Sequence, residues 1–438
     1  MLQKLKTNLA ASILSKWPFS MNLDLWAVGQ LYQSASPDQL EKYCRHRIRQ
    51  IVLHAHQHVP YYRELFGRIG IGREEIKTLS WEMFRTIPVL NKSTLREHEK
   101  EFYTEGWENL YSMVRTTSGS SGMPLKLLVD QPYIKRRVMM SNYYLKACGQ
   151  KNIKKFANFM TVPDLKSWGV FFDVAQFRDR WNDLIVLLKS GSFESLGGPT
   201  STLAELAEYL EKANEHLKLR FISSSAEYVS RANKDHLEKV FGCSLYNRYA
   251  CAEVGVMAYT HKKCDFFHLS PATGWVEITD NAGKVLPPNE TGKVIITGFE
   301  NKIMPLIRYE LGDLGCVIKE GCSCGLKTPR IIFEGRDFYF LRLPDGKNYS
   351  AFSLLGLFDK YYVGQIKQVQ IIQETIDKII LRIIPTEHYN PRNSKFLVRD
   401  VLDQINCSQP ITVLVEIVSS IARLPSGKTP FFLSKIHI

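Results

Sequence analysis

Four short stretches carry residues suited to nucleotide chemistry. The first is "RTTSGSSGMPLKLLVD", Arg115 to Asp130. Backbone N–H groups that converge on one point form an anion nest, and glycine reaches the positive φ that such a nest needs. Ser and Thr hydroxyls add donors without bulk. Thr117-Ser118-Gly119-Ser120-Ser121-Gly122, followed by Pro124, therefore suits a loop that cradles phosphates. It is not a Walker A sequence, because no G-K-[ST] follows. A flexible linker between two structured regions is the other reading of the same composition. The second stretch, "YNRYACAEVG", sets Glu253 four residues after Tyr249, just past a predicted strand "CSLYNRY". A carboxylate there could hold Mg²⁺ against a phosphate. The third, "PLIRYELGDLG", gives Asp313 on a turn between strands, where it could accept bonds from vicinal hydroxyls such as those of a ribose. The fourth, "ARLPSGKTPFF", presents Lys428 on a glycine-hinged turn. Such a lysine is ordinarily a solvated surface charge, but one that swings into a site supplies a point charge to a phosphate.

In this order the four stretches resemble the adenylate-forming superfamily of acyl-CoA ligases and adenylation domains. Within it the likeness is to the phenylacetate–CoA ligase-like branch, including the CapK-type capsular polysaccharide biosynthesis proteins. "TTSGSSGMP" is similar to that family's SGTTGKP phosphate loop, "YACAE" to its YGSTE motif and "RYELGD" to its RYRTGD-type motif. "EGRD" resembles the start of its hinge motif and "PSGK" the motif bearing a mobile lysine; "HVPYYRELF" and "TIPVLNKSTLREH" match N-terminal signatures of the branch. The resemblance implies that Ser118, Gly119, Ser120, Ser121 and Gly122 hold the β- and γ-phosphates of ATP. It implies that Tyr249 stacks near the adenine, that Glu253 binds Mg²⁺, and that Ala226 and Glu227 line the nucleotide pocket. Asp313 would hold the ribose hydroxyls, with Arg336 near them, and Lys428 would stabilise charge while a carboxylate attacks the α-phosphate. Three departures stand out: Met123 in place of the loop lysine, Ala250 in place of glycine, and Phe338 where a hinge aspartate often sits.

A separate constellation is Cys264 with His268 ("CDFFH") and Cys322 with Cys324 ("CSCG"). One His and three Cys can make a tetrahedral Zn²⁺ site, and four protein ligands would leave no position open for chemistry. The spacings are not those of zinc fingers, and reduced buried thiols are the competing reading. Cys148, Cys243, Cys251 and Cys407 read as core.

The elements that must carry these residues follow from periodicity. Helical patterns cover Ser36 to Pro60, Tyr133 to Cys148 and Ser201 to Leu217, with β-like runs "FANFMTV", "DLIVLL" and "RFISSS" between them. Strands and turns dominate after Phe267, and the last hundred or so residues mix strand with helix. The expectation is an α/β protein: a large N-terminal layered α/β domain with a β-rich subdomain over 1–335, and a small, mobile α+β domain over 336–438 that carries Lys428. A chain of 438 residues with 45% hydrophobic residues can bury such a core. Its net charge of +13 suits an anionic partner, yet no basic run with interleaved aromatics indicates nucleic acid.

The nine cysteines argue against a secreted disulfide framework. No run is apolar enough to span a membrane. The start, "MLQKLKTNLAASILSKWPFS", is either a basic amphipathic helix resting on a membrane surface or a helix docked on its own protein. The expected protein is a cytoplasmic, ATP- and Mg²⁺-dependent enzyme, with possible peripheral membrane contact, that activates a small carboxylic acid as acyl-AMP. The acceptor is CoA, a sugar amine or hydroxyl, or a carrier-protein thiol. Alternatives are a nucleotide-binding accessory protein without ligase activity, and transfer of AMP itself to an acceptor.

Overall fold

The computed structural model describes residues 2–14, 21–116, 125–159, 170–172, 180–261, 264, 266–318, 321–336, 340–362, 364–422 and 429–436. Among them, one mixed sheet of eleven strands forms the body. Its parallel part runs Val170–Phe171, Phe156–Asn158, Ser195–Gly198, Phe221–Ser225, Ser244–Cys251. From there the sheet turns antiparallel through Gly255–Tyr259, Phe267–Leu269, Arg330–Arg336, Tyr309–Ile318, Gly292–Gly298 and Gly274–Thr279.

A parallel strand covered on both faces loses its polar alternation. Phe221–Ser225 behaves in this way: every residue is buried, with Phe221 in one core and Ile222 in another. The Ile222 side packs against helices Trp181–Ser190, Thr200–Ala213 and Arg231–Phe241. The Phe221 side faces helices Pro37–His58 and Gln131–Ala147. Both of the latter begin on side-chain caps, Ser36 in a capping box with Gln39 and Asp130 accepting from Tyr133 N–H. The "DLIVLL" run, expected as a strand, lies inside the Trp181–Ser190 helix. That helix buries Leu184, Ile185 and Leu188 but leaves Val186 and Leu187 exposed, so a helical stripe was hidden in a continuous apolar run.

Two buried ion clusters fix the body. Glu300 Oε1 accepts from Arg47 Nη2 at 2.9 Å and from Arg136 Nε at 3.1 Å, joining two helices to the segment after Gly298. Arg308 bonds Glu277 at 3.1 Å and also donates to the carbonyls of Arg85, Ile87 and Gly283. Leu90 then bridges to Tyr309, so "TIPVLN" is clamped by the strand of the "RYELGD" stretch.

A second, smaller sheet, Thr412–Ile417, Lys378–Pro385, Ile366–Thr375, Phe432–Ser434, carries helices Ala351–Tyr361 and Ser394–Ile405. Its own core includes Leu341, Leu354, Ile371, Leu381, Leu397 and Phe432. The molecule is thus a large mixed α/β body and a small α+β unit. The N-terminal helix Leu2–Leu14 buries Thr7 and Ala10, packs on helix Met21–Ser34 and exposes Leu5 and Leu9. No helix among the described residues is long and apolar enough to cross a membrane.

Candidate functional site

The residues of the expected phosphate loop, Ser118 to Gly122 with Met123, lie outside the described residues, as does Lys428. The strands that bracket the loop, Ser112–Thr116 and Lys126–Asp130, pair antiparallel with Thr116 opposite Lys126. The segment therefore joins two strands of one hairpin rather than two domains, which removes the linker reading. Asp130 ties that hairpin down. One of its oxygens accepts from Tyr133 N–H at 3.0 Å and the other from Lys302 N–H at 2.9 Å. Burial pushes its carboxyl up against those bonds.

Glu253 occupies the turn between strands Ser244–Cys251 and Gly255–Tyr259, where Gly255 at φ +89° reverses the chain. The carboxylate residue is only 7% exposed, which excludes a solvated loop acid. It shares a small cleft with Tyr133, Thr273 and Glu300. Tyr133 holds the turn by donating to the Ala252 carbonyl, and Arg137 donates to the Cys251 carbonyl at 3.0 Å. The buried Tyr309 hydroxyl has no hydrogen-bond partner among the described residues. Burial, then the Glu253 charge, raises that phenol's pKa.

Tyr249 stacks on Phe333, with ring centroids 3.6 Å apart and planes 15° off parallel, and its hydroxyl donates to Asp313. Asp313 does not sit on a turn. It lies within strand Tyr309–Ile318, directly after Gly312 at φ +79°, and opposite Arg336 in the ladder. The glycine bends a strand that otherwise continues.

Ala226, at the end of strand Phe221–Ser225, takes φ +69°. Left-handed backbone costs a non-glycine residue about 1 kcal/mol or more, and such strain gathers at ligand sites. Next to it, Glu227 accepts from Ser201 N–H at 2.7 Å and Ser201 Oγ at 3.0 Å, capping helix Thr200–Ala213. The same carboxylate accepts from the Thr429 N–H at 3.3 Å. The residue after Lys428 thus touches the residue after Ala226. A second tie between body and C-terminal unit is the Lys367–Glu208 ion pair. Neither Glu227 contact was visible in the sequence.

Cys264, His268, Cys322 and Cys324 converge: their ligand atoms all lie within 4.8 Å of one another. Cys264 Sγ is 3.2 Å from Cys322 Sγ and 3.5 Å from His268 Nε2, and Cys324 Sγ is 3.2 Å from that nitrogen. His268 Nδ1 lies 3.3 Å from the Thr328 carbonyl, which can only accept, so Nδ1 carries the proton and Nε2 faces the sulfurs as a base. The donor set and spacing match what a tetrahedral ion needs. Of the four cysteines read as core, Cys148 is buried, while Cys243, Cys251 and Cys407 are only partly so.

The fold is shared with solved acyl-CoA ligases. The chain superposes on 2-hydroxyisobutyryl-CoA ligase in the postadenylation state with a TM-score of 0.77, at 18% identity over 92% of this chain and 91% of that one. Against the same ligase in the thioesterification state the TM-score is 0.61, at 18% identity over 92% and 91%. Residues 345–435 match the CapK C-terminal domain. Over 397 residues the chain is 23% identical to protein CapK of Staphylococcus aureus, covering 86% of this chain and 85% of that protein. It is 23% identical to a phenylacetate-coenzyme A ligase of Thermus thermophilus over 64% of this chain and 66% of that enzyme. The chain is therefore similar to CapK and the phenylacetate–CoA ligases, and it shares the fold of 2-hydroxyisobutyryl-CoA ligase.

Proposed function

We propose that this protein is an ATP-dependent, AMP-forming acid ligase that transfers the activated acyl group to CoA or another acceptor. The observation that carries this reading is the hydrogen bond from Thr429 N–H to Glu227. It sets Thr429, the residue after Lys428, against Glu227, which the resemblance assigns to the nucleotide pocket. In the first half-reaction a carboxylate oxygen of the acid attacks the α-phosphorus of ATP, and the bond to pyrophosphate breaks. Ser118, Gly119, Ser120, Ser121 and Gly122 hold the departing phosphates by backbone and hydroxyl donors, since Met123 offers no charge. Tyr249 contributes the wall beside the adenine, together with Ala226 and Glu227, and Asp313 accepts from the ribose hydroxyls near Arg336. Lys428 stabilises the charge that builds at the α-phosphate.

Mg²⁺, when bound, would neutralise phosphate charge, and the buried Glu253 carboxylate, near a Tyr309 hydroxyl that has no partner among the described residues, is the fitting place for it. In the second half-reaction the acceptor's nucleophile attacks the acyl carbon and AMP leaves. The small unit, from about Arg336, would rotate between the two steps.

Cys264, His268, Cys322 and Cys324 fit Zn²⁺, which would clip strand Phe267–Leu269 to the 321–325 segment without entering the chemistry. Metal analysis of the purified protein should find about one zinc per chain; less than about half an equivalent would refute the site.

The likeness to CapK favours a cytoplasmic role in decorating surface polysaccharide. The experiment is a pyrophosphate-release screen across aromatic, fatty, amino and sugar acids. Acid-dependent release should fall about 100- to 1000-fold in Lys428→Ala while ATP binding persists. ATP binding with no release from any acid would favour an accessory protein instead.

A further inference from the structure

Tyr309 and Glu310 are consecutive in strand Tyr309–Ile318, so their side chains take opposite faces of it. Burial and then the charge of Glu253 raise the Tyr309 phenol, so the Tyr309 face belongs to the candidate nucleotide site. Glu310 looks the other way, into an open-mouthed cleft of about 390 Å³. Pockets for small ligands run from about 300 to 1,000 Å³. One wall of this cleft is the segment 85–91, and the other is the turn at 279–283.

The two walls are stapled to each other. Arg308 donates to the Arg85 and Ile87 carbonyls on one wall and to the Gly283 carbonyl on the other. Leu90 N–H donates to the Arg308 carbonyl and Glu310 N–H to the Leu90 carbonyl, each at 2.9 Å. Gly283, at φ +81°, brings the turn so near the first wall that a Cβ there would lie 3.1 Å from Val89 Cγ2. The cleft is therefore formed before any ligand arrives.

Its polar groups carry both signs. Lys293 pairs with Glu310 at 3.0 Å, and Arg85 lies 3.8 Å from Glu277, which also holds Arg308. With Asp280 on the turn, three cations (Arg85, Lys293, Arg308) stand against three carboxylates (Glu277, Asp280, Glu310). An ion of either sign therefore gains little from entering. Thr279, the ladder partner of Lys293, lines the same cleft. It is 1% exposed, and its hydroxyl has no hydrogen-bond partner among the described residues. A buried hydroxyl left without a partner is costly, and a ligand hydroxyl beside it would remove that cost. Sugar hydroxyls donate and accept at once, which suits a wall of carboxylates, cations and one free hydroxyl. Pro88 and Val89 offer apolar surface to the C–H face of a sugar ring. We propose that the cleft binds a neutral sugar unit, on the side of the strand opposite to Glu253. The proposal does not depend on the ligase reading.

The test is calorimetric binding to the full chain of glucose, galactose, mannose and N-acetylglucosamine, each also as its methyl glycoside. Glucuronate and glucosamine serve as charged counterparts. At least one neutral sugar should bind, and more tightly than either charged one. A methyl glycoside that binds as well as its free sugar marks the end of a glycan as the ligand, and loss of binding on methylation marks a free monosaccharide. Thr279→Val keeps the shape and removes the hydroxyl, so it should weaken binding about tenfold, the scale of one hydrogen bond. Its melting temperature should be unchanged or raised, because the hydroxyl it removes has no partner to lose. Thr279→Ser, which keeps the hydroxyl, should retain binding. No binding of any neutral sugar, a charged counterpart that binds more tightly, or unchanged affinity in a folded Thr279→Val protein would overturn the proposal. Each of these results leaves the pyrophosphate-release test of the ligase reading untouched.

Discussion

The large body and the small C-terminal unit are held together by different forces. In the body, buried carboxylates sit between guanidiniums: Glu300 with Arg47 and Arg136, and Glu277 with Arg308. In the C-terminal unit the core is aliphatic and aromatic, and ion pairs such as Arg382–Glu416 and Lys435–Glu374 stay at its periphery. A buried ion pair contributes little net stability, yet it tolerates only one arrangement, because a stray partner is left charged and dry. An aliphatic core asks only for volume and pattern. The body is therefore a fixed frame. The small unit is a separate module, tied to that frame by the Lys367–Glu208 pair and by the Thr429 bond to Glu227.

This contrast can be broken at either end. The largest effect is expected from Glu300→Gln, which leaves two guanidiniums in a pocket without their carboxylate. Chemical denaturation should show a loss of about 3–5 kcal/mol in the unfolding step of the body. A loss under about 1 kcal/mol would mean that the cluster does not fix the frame. At the other end is Lys367→Ala. That lysine is partly exposed, so the variant should cost no more than about 1 kcal/mol and leave the body's melting unchanged. Its effect should appear in the balance between open and closed arrangements, measured by scattering or by a distance label across the two units. Lys428→Ala belongs between the two: little change in stability, with loss confined to adenylation.

Much of this was legible in the sequence, for physical reasons. Glu253 was expected just past a strand, and it lies just past strand Ser244–Cys251. The Cys and His residues form two close-set pairs, and folding brings the pairs together. Asp313 was misread because Gly312 looked like a turn, whereas it only bends a strand. "DLIVLL" was misread because Val186 and Leu187, exposed on the helix, mask its period. Arg248 was passed over altogether. Its signal was slight, an arginine in a strand of mixed burial, and only the register with Ser225 and the ring of Tyr144 place it. Long-range contacts such as Thr429 to Glu227, 202 residues apart, have no local pattern at all.

Asp130 has a consequence for binding order. It ends strand Lys126–Asp130, caps helix Gln131–Ala147 and holds Lys302, two residues from Glu300. If a nucleotide draws on the hairpin of that strand, as proposed above, it pulls on helix Gln131–Ala147 and on the segment beside Glu300. Coupling of this kind is reciprocal: whatever factor ATP adds to the affinity for the acid, the acid must add to the affinity for ATP. Cooperation between two substrates would then be transmitted through the Asp130 carboxylate.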